Sequence, residues 1–141
     1  MNILRAAIAA LGGLAAYFVL GGVIFRKLPS FKNEFLEFPM VNPTQPGQLL
    51  RARFGVAAMY VSMLSLAVLY SLLYQGGSVL AAGALFGALI GIFAIGSFFL
   101  HSYVNQNVES KFTLISALAY LVEWTAAGIA IALTYSVTVP R

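Results

Sequence analysis

Residues 79–100 read VLAAGALFGALIGIFAIGSFFL, a stretch that contains no charged side chain. A helix needs roughly 20 mainly apolar residues to cross the hydrocarbon core of a bilayer. Three further stretches meet this requirement, so the sequence predicts four membrane-spanning helices, at 6–25, 54–74, 79–100 and 112–135. These runs lack the strict alternation of apolar and polar residues that the strands of an outer-membrane barrel need.

The composition also indicates a membrane protein. Of the 141 residues, 61% are hydrophobic and 9% are charged, whereas about a quarter of the residues of a soluble domain are charged. The chain has no Cys, which excludes disulfides, iron–sulfur clusters and Cys-ligated zinc. We therefore expect an all-α, polytopic membrane protein with a single domain over residues 1–141 and four transmembrane helices in an antiparallel bundle.

The basic residues predict the orientation of the helices. Six of the eight Lys and Arg residues lie in or beside the first and third connections, and only Arg5 and Arg141 lie on the other side. Because short cytoplasmic loops are enriched in Lys and Arg, both termini are expected outside. The basic residues behind the net charge of +4 are therefore explained by their role in orienting the helices, and nucleic acid is not an expected partner.

The first connection is the only sizeable polar region. Its first part, SFKNEFLEFPM at 30–40, places Phe31, Phe35 and Phe38 on one helical face. This spacing predicts either a short interfacial helix or a loop whose phenylalanines tuck under the bundle. Arg51 and Arg53 follow at the membrane surface, where they either contact anionic lipid or only set the topology.

Small residues predict where the helices touch. Gly83, Gly87 and Gly91 recur every four residues along the third span. Small residues on one face let two helix backbones approach closely in lipid, within one chain or between copies of it. The short QGGS turn at 75–78 permits an antiparallel hairpin of the second and third spans, because a short connection makes its two helices neighbours.

Glu123 is the one clear case of an ionisable residue near the middle of a span. A charge at this depth costs roughly 2.5 kcal/mol or more, so such a residue suggests function by default. Desolvation favours the neutral carboxyl, and the expected partners are hydroxyls at matching depth: Ser62, Ser65, Tyr17 and Tyr120. Three interpretations stay open: a structural hydrogen bond between helices, a site that exchanges its proton for a cation or binds a ligand, and a side chain that faces lipid.

No motif for chemistry is present. The sequence lacks H-E-x-x-H, G-x-S-x-G, a P-loop and a dinucleotide fingerprint. His101 is the only His, so a bis-His haem is excluded and a chlorophyll-type pigment with one axial ligand stays a minor option. We expect no enzyme, no cofactor and no metal site.

Three functional interpretations follow from these observations. The leading one is a non-enzymatic structural or accessory subunit, self-associated or part of a larger membrane complex, with membrane lipid as its surroundings. The first alternative is a small proton- or cation-coupled transporter or channel that uses Glu123. The second is a protein that binds lipid or pigment.

Several stretches carry a resemblance. These are the opening MNILRAAIAALGGLAAYFVLGGVIF, the basic and aromatic first loop, the Gly-rich third span, and Asn105 followed by Leu114–Tyr120. The layout resembles a family of small bacterial four-helix membrane proteins of unassigned activity. The resemblance implies a location in the bacterial cytoplasmic membrane, and it assigns no functional residue.

Overall fold

A computed structural model of the chain describes residues 2–27, 48–99, 104 and 110–137. In this part of the chain four long helices follow one another. They are α1 (Ile3–Lys27), α2 (Gln48–Leu73), α3 (Val79–Ala94) and α4 (Ser110–Val137). A π-helical segment, Ile95–Phe99, continues α3. The interfacial helix predicted in the first connection, and His101, lie outside the described residues.

Each long helix contains a segment long and apolar enough to cross a membrane. These segments are Ile3–Ile24, Arg53–Leu73, Val79–Ser97 (which runs into the π-helical segment) and Leu114–Val137. The predictions of an all-helical fold and of four helices long and apolar enough to span a membrane are therefore confirmed for the described residues. Large apolar side chains stay exposed on every helix, among them Val19, Leu72, Leu89 and Leu118. In a membrane, lipid would cover these apolar surfaces.

Helix α4 has two main neighbours, α1 and α3, and α2 packs mainly on α1. Gly12 lies against Thr134 and Gly21 lies against Glu123, so residue numbers rise along α1 as they fall along α4. Between α1 and α2, the Tyr60 hydroxyl donates a hydrogen bond to the carbonyl oxygen of Ala7 across 3.4 Å.

The core consists largely of small side chains. Its fully or almost fully buried members are Ala6, Ala9, Ala10, Met63, Ala67, Tyr70, Ala127, Ile131 and Ala132. Alanine-rich faces allow close approach of the helices, which is how helices associate when lipid removes the hydrophobic drive between them.

The turn between α2 and α3 has the geometry that its glycines permit. Gly76 and Gly77 have φ angles of 104° and 95°, a region that glycine enters without steric cost. Ser78 then caps α3, because its side chain accepts a hydrogen bond from the amide of Ala81 at 3.3 Å. Helices α2 and α3 share little backbone contact. The two helices are nevertheless in side-chain contact, since the ring centroids of Tyr70 and Phe86 lie 5.5 Å apart. The glycines of α3 make their closest approach to α4.

Candidate functional site between α1 and α4

Glu123 lies near the middle of its span, and its side chain is 0% exposed. It faces α1 at Gly21. A Cβ atom built on Gly21 would lie 3.0 Å from Oε1 and 3.7 Å from Oε2 of the carboxyl. Because glycine has no side chain, position 21 leaves space that the Glu123 carboxyl occupies. The carboxyl therefore faces helix α1 and not lipid.

Neither oxygen of the Glu123 carboxyl has a hydrogen-bond partner among the described residues. Tyr17 of α1 and Tyr120 of α4 are close enough to interact with it electrostatically. The Tyr17 hydroxyl is a candidate donor, but it does not reach hydrogen-bond geometry with either carboxyl oxygen. The Tyr17 ring packs against Trp124, with ring centroids 5.2 Å apart. A buried polar group without a partner costs roughly 1–3 kcal/mol.

Ser116 extends this polar region along α4. It is 1% exposed, and its hydroxyl oxygen also has no hydrogen-bond partner in the described part of the chain. Residues seven apart lie on one face of a helix, so Ser116 and Glu123 share a face, with Tyr120 between them in sequence. Helix α4 thus carries a line of polar side chains from near its first turns to the middle of the span.

Two of the hydroxyls predicted as partners lie elsewhere. Ser62 and Ser65 are exposed, and each donates to a carbonyl oxygen one turn earlier in α2, across 3.1 Å to Ala58 and 3.0 Å to Val61. Neither therefore serves as a partner of Glu123. The two serines were predicted as partners because they lie at about the same depth in their span as Glu123 does in its own. Depth does not determine the direction in which a helix presents its side chains.

The glycines of α3 line the opposite side of α4. A Cβ atom on Gly87 would overlap the backbone oxygen of Trp124 and would lie 2.8 Å from the Cα of Thr125. Gly83 approaches α4 almost as closely, and Gly91 approaches it less closely, since a Cβ there would lie 3.1 Å from Leu121; both glycines are buried. The structure thus places the three predicted packing glycines in one contact within the chain.

Two glycines that matter here were not identified from the sequence. Gly128 of α4 faces the α3 glycines, since a Cβ on it would lie 2.5 Å from the Cα of Gly87. Gly21 faces the carboxyl of Glu123. Neither glycine belongs to a series spaced four residues apart. The sequence therefore marked each of them only as a glycine inside an apolar span.

The remaining predicted positions lie at helix ends. Arg53 is exposed at the first residue of the α2 span, and Arg51 belongs to the same helix two residues earlier. Within the ranges that the structure describes, no three His, Cys, Asp or Glu side chains group to hold a metal ion.

These features define a class, a helical protein with four apolar spans and one fully buried carboxyl between two of its helices. Comparison of the sequence and structure finds no match to a protein-family model, a curated protein or a solved structure. The geometry of the described helices is therefore the basis for a functional proposal.

Proposed function

We propose that the protein is a non-enzymatic, multi-pass protein of the bacterial cytoplasmic membrane that acts as a structural or accessory subunit. Its helices form an antiparallel bundle that associates with further copies or with a larger membrane complex. The observation that supports this role is the sealed interior. Because Glu123 is 0% exposed, no water-sized space adjoins its carboxyl among the residues that the structure describes, and these residues leave no opening beside it.

The mass of the purified particle tests this proposal. The protein is extracted in a mild detergent, and native mass spectrometry counts the chains and any partner in each particle. We expect more than one chain, or this chain with a second protein. A single chain without a partner, both in detergent and after transfer to lipid nanodiscs, would contradict the proposal.

The orientation is part of the proposal and has a separate test. The distribution of Lys and Arg favours both termini outside and the first connection in the cytoplasm. The chain has no Cys, so an introduced Thr44→Cys is the only thiol that a reagent can label. We expect labelling by a membrane-impermeant maleimide only after the cells are opened, and labelling of intact cells would reverse the orientation.

Proton or cation exchange at Glu123 is a second candidate, and one observation favours it. A structural hydrogen bond requires a partner in place, whereas Glu123 and Ser116 both bury oxygens without one. The line from Ser116 to Glu123 leads from the start of α4, beside the third connection, to the middle of the span. In the sealed conformation, exchange requires α1 to move away from α4 at Gly21.

Proton movement in proteoliposomes separates this candidate from the structural role. Under the exchange role, a pH-sensitive dye reports a flux with the wild-type protein that is lost in Glu123→Gln, because Gln keeps the shape but not the titratable proton. Ser62→Ala is the matched control, since this serine is exposed on α2. Equal fluxes for the wild type and Glu123→Gln, or no flux in either, would contradict the exchange role.

A further inference from the structure

Helices α1 and α2 enclose an open groove on the outer surface of the protein. The groove has a volume of about 480 Å³, within the range of roughly 300–1,000 Å³ that ligand pockets occupy. It is lined by Leu11, Leu14, Arg53, Val56, Ala57 and Tyr60. Its position between two apolar spans places it where lipid chains would lie.

The lining of this groove suits a hydrocarbon chain. Leucine, valine and alanine side chains form most of it, and the hydroxyl of Tyr60 already donates to the backbone oxygen of Ala7. The groove therefore offers almost no hydrogen bond to a polar ligand body. An acyl chain needs no hydrogen bonds, and it gains dispersion contacts with the lining along its length.

Arg53 is the one charged residue of the lining, and it stands at the first residue of the α2 span. The long stem of an arginine at a span end lets its guanidinium extend toward the lipid headgroups. The only carboxylate side chain in the described ranges is that of Glu123, which is fully buried against α1. Arg53 has no acidic partner there, and a guanidinium pairs well with the planar oxygen geometry of a phosphate.

We propose that the groove between α1 and α2 binds an anionic phospholipid, with one acyl chain along the apolar lining and the headgroup phosphate on Arg53. This site goes beyond the assembly role and depends only on insertion of the helices into a membrane. The positive charge of Arg53 selects an anionic headgroup, and the apolar lining binds the acyl chain.

Native mass spectrometry of the detergent-solubilised protein, titrated with phosphatidylglycerol or phosphatidylcholine, tests the headgroup part. One basic side chain near a membrane surface is worth about fivefold in affinity for anionic lipid. We expect Arg53→Gln to lose about this much preference for phosphatidylglycerol. Arg5→Gln, which removes a charge at the start of α1 that does not line the groove, is the matched control and should keep the preference. Equal preference in all three proteins would overturn the proposal.

Filling the groove tests the acyl-chain part. Ala57→Trp places a ring in the groove, whereas Ala58→Trp adds the same ring at the next exposed residue, which does not line it. We expect only Ala57→Trp to lower the retention of both lipids. Equal retention in the two variants, or full competition by glycerol phosphate alone, would overturn the acyl-chain assignment.

Discussion

The two sides of α4 use small residues for opposite purposes. Toward α3, Gly128 meets Gly87 so closely that an added Cβ would lie 2.5 Å from the facing Cα. Toward α1, Gly21 leaves room for the carboxyl of Glu123, whose oxygens have no hydrogen-bond partner among the described residues. The α3–α4 contact gains dispersion energy from the close approach of the two helices. The α1–α4 contact buries a polar group without a partner among the described residues, which costs free energy.

This difference separates a contact that holds two helices together from one that buries a polar group at a cost. A contact between glycines offers no group for chemistry, so its role is to hold α3 on α4. A carboxyl buried without a partner adds nothing to the stability of the chain alone, and such sites are typical of functional positions. We therefore expect substitutions on the α3 side to act on folding, and those on the α1 side to act more weakly on it.

The largest effect is expected from Gly87→Leu. The new side chain must push Trp124 and Thr125 away, and overpacking of this kind costs about 3 kcal/mol or more when backbone stands in the way. Thermal unfolding followed by circular dichroism in one detergent measures the loss. Gly55→Leu is the matched control, because a Cβ on Gly55 has open space around it. Equal unfolding temperatures for these two variants would remove the role assigned to the α3–α4 contact.

A smaller effect is expected from Gly21→Leu, about 1–2 kcal/mol, because the atoms displaced belong to the end of a flexible side chain. Gly22→Leu is the control, since a Cβ at that position meets nothing within 4 Å. Adding Glu123→Ala should recover most of the lost stability, because the removed carboxyl frees the space. Strictly additive losses in the double variant would show that Gly21 and Glu123 do not share this space.

The smallest loss is expected from Tyr17→Phe. The Tyr17 hydroxyl does not reach hydrogen-bond geometry with Glu123, so its removal should lower the unfolding free energy by less than about 0.5 kcal/mol. The ring contact with Trp124 stays in place in this variant. Steric-trap unfolding in detergent resolves the difference, and a loss well above 1 kcal/mol would reveal a hydrogen bond that holds the carboxyl.

The sequence predicts much of this fold, because long apolar runs report spans directly. The depth of Glu123 and the spacing of Gly83, Gly87 and Gly91 could also be read from it. The helix that receives those glycines could not, since the spacing names no partner and the structure places α4 against them. The interior and the lipid are both apolar, so hydrophobic periodicity does not reveal which face of a span turns inward.

The same ambiguity explains the errors at the candidate site. Ser62 and Ser65 lie in a span that could present any face to Glu123, and the structure turns both outward. Gly21 is adjacent to Gly22, and nothing in the sequence separates the glycine that receives a carboxyl from the one that faces open space. Pairing between distant helices has to be known before either assignment can be made.

The unfolding free energy of Glu123→Met, measured beside the wild type and Glu123→Gln by steric trapping in one detergent, tests the central claim most directly. Met has nearly the length of Glu, is only about one methyl group larger, and leaves no buried carboxyl oxygen behind. If the carboxyl costs the chain stability, Glu123→Met should be more stable than the wild type by about 1 kcal/mol, with Glu123→Gln close to the wild type. A loss of more than about 1 kcal/mol in Glu123→Met would show that the carboxyl stabilises the α1–α4 contact, which contradicts the claim.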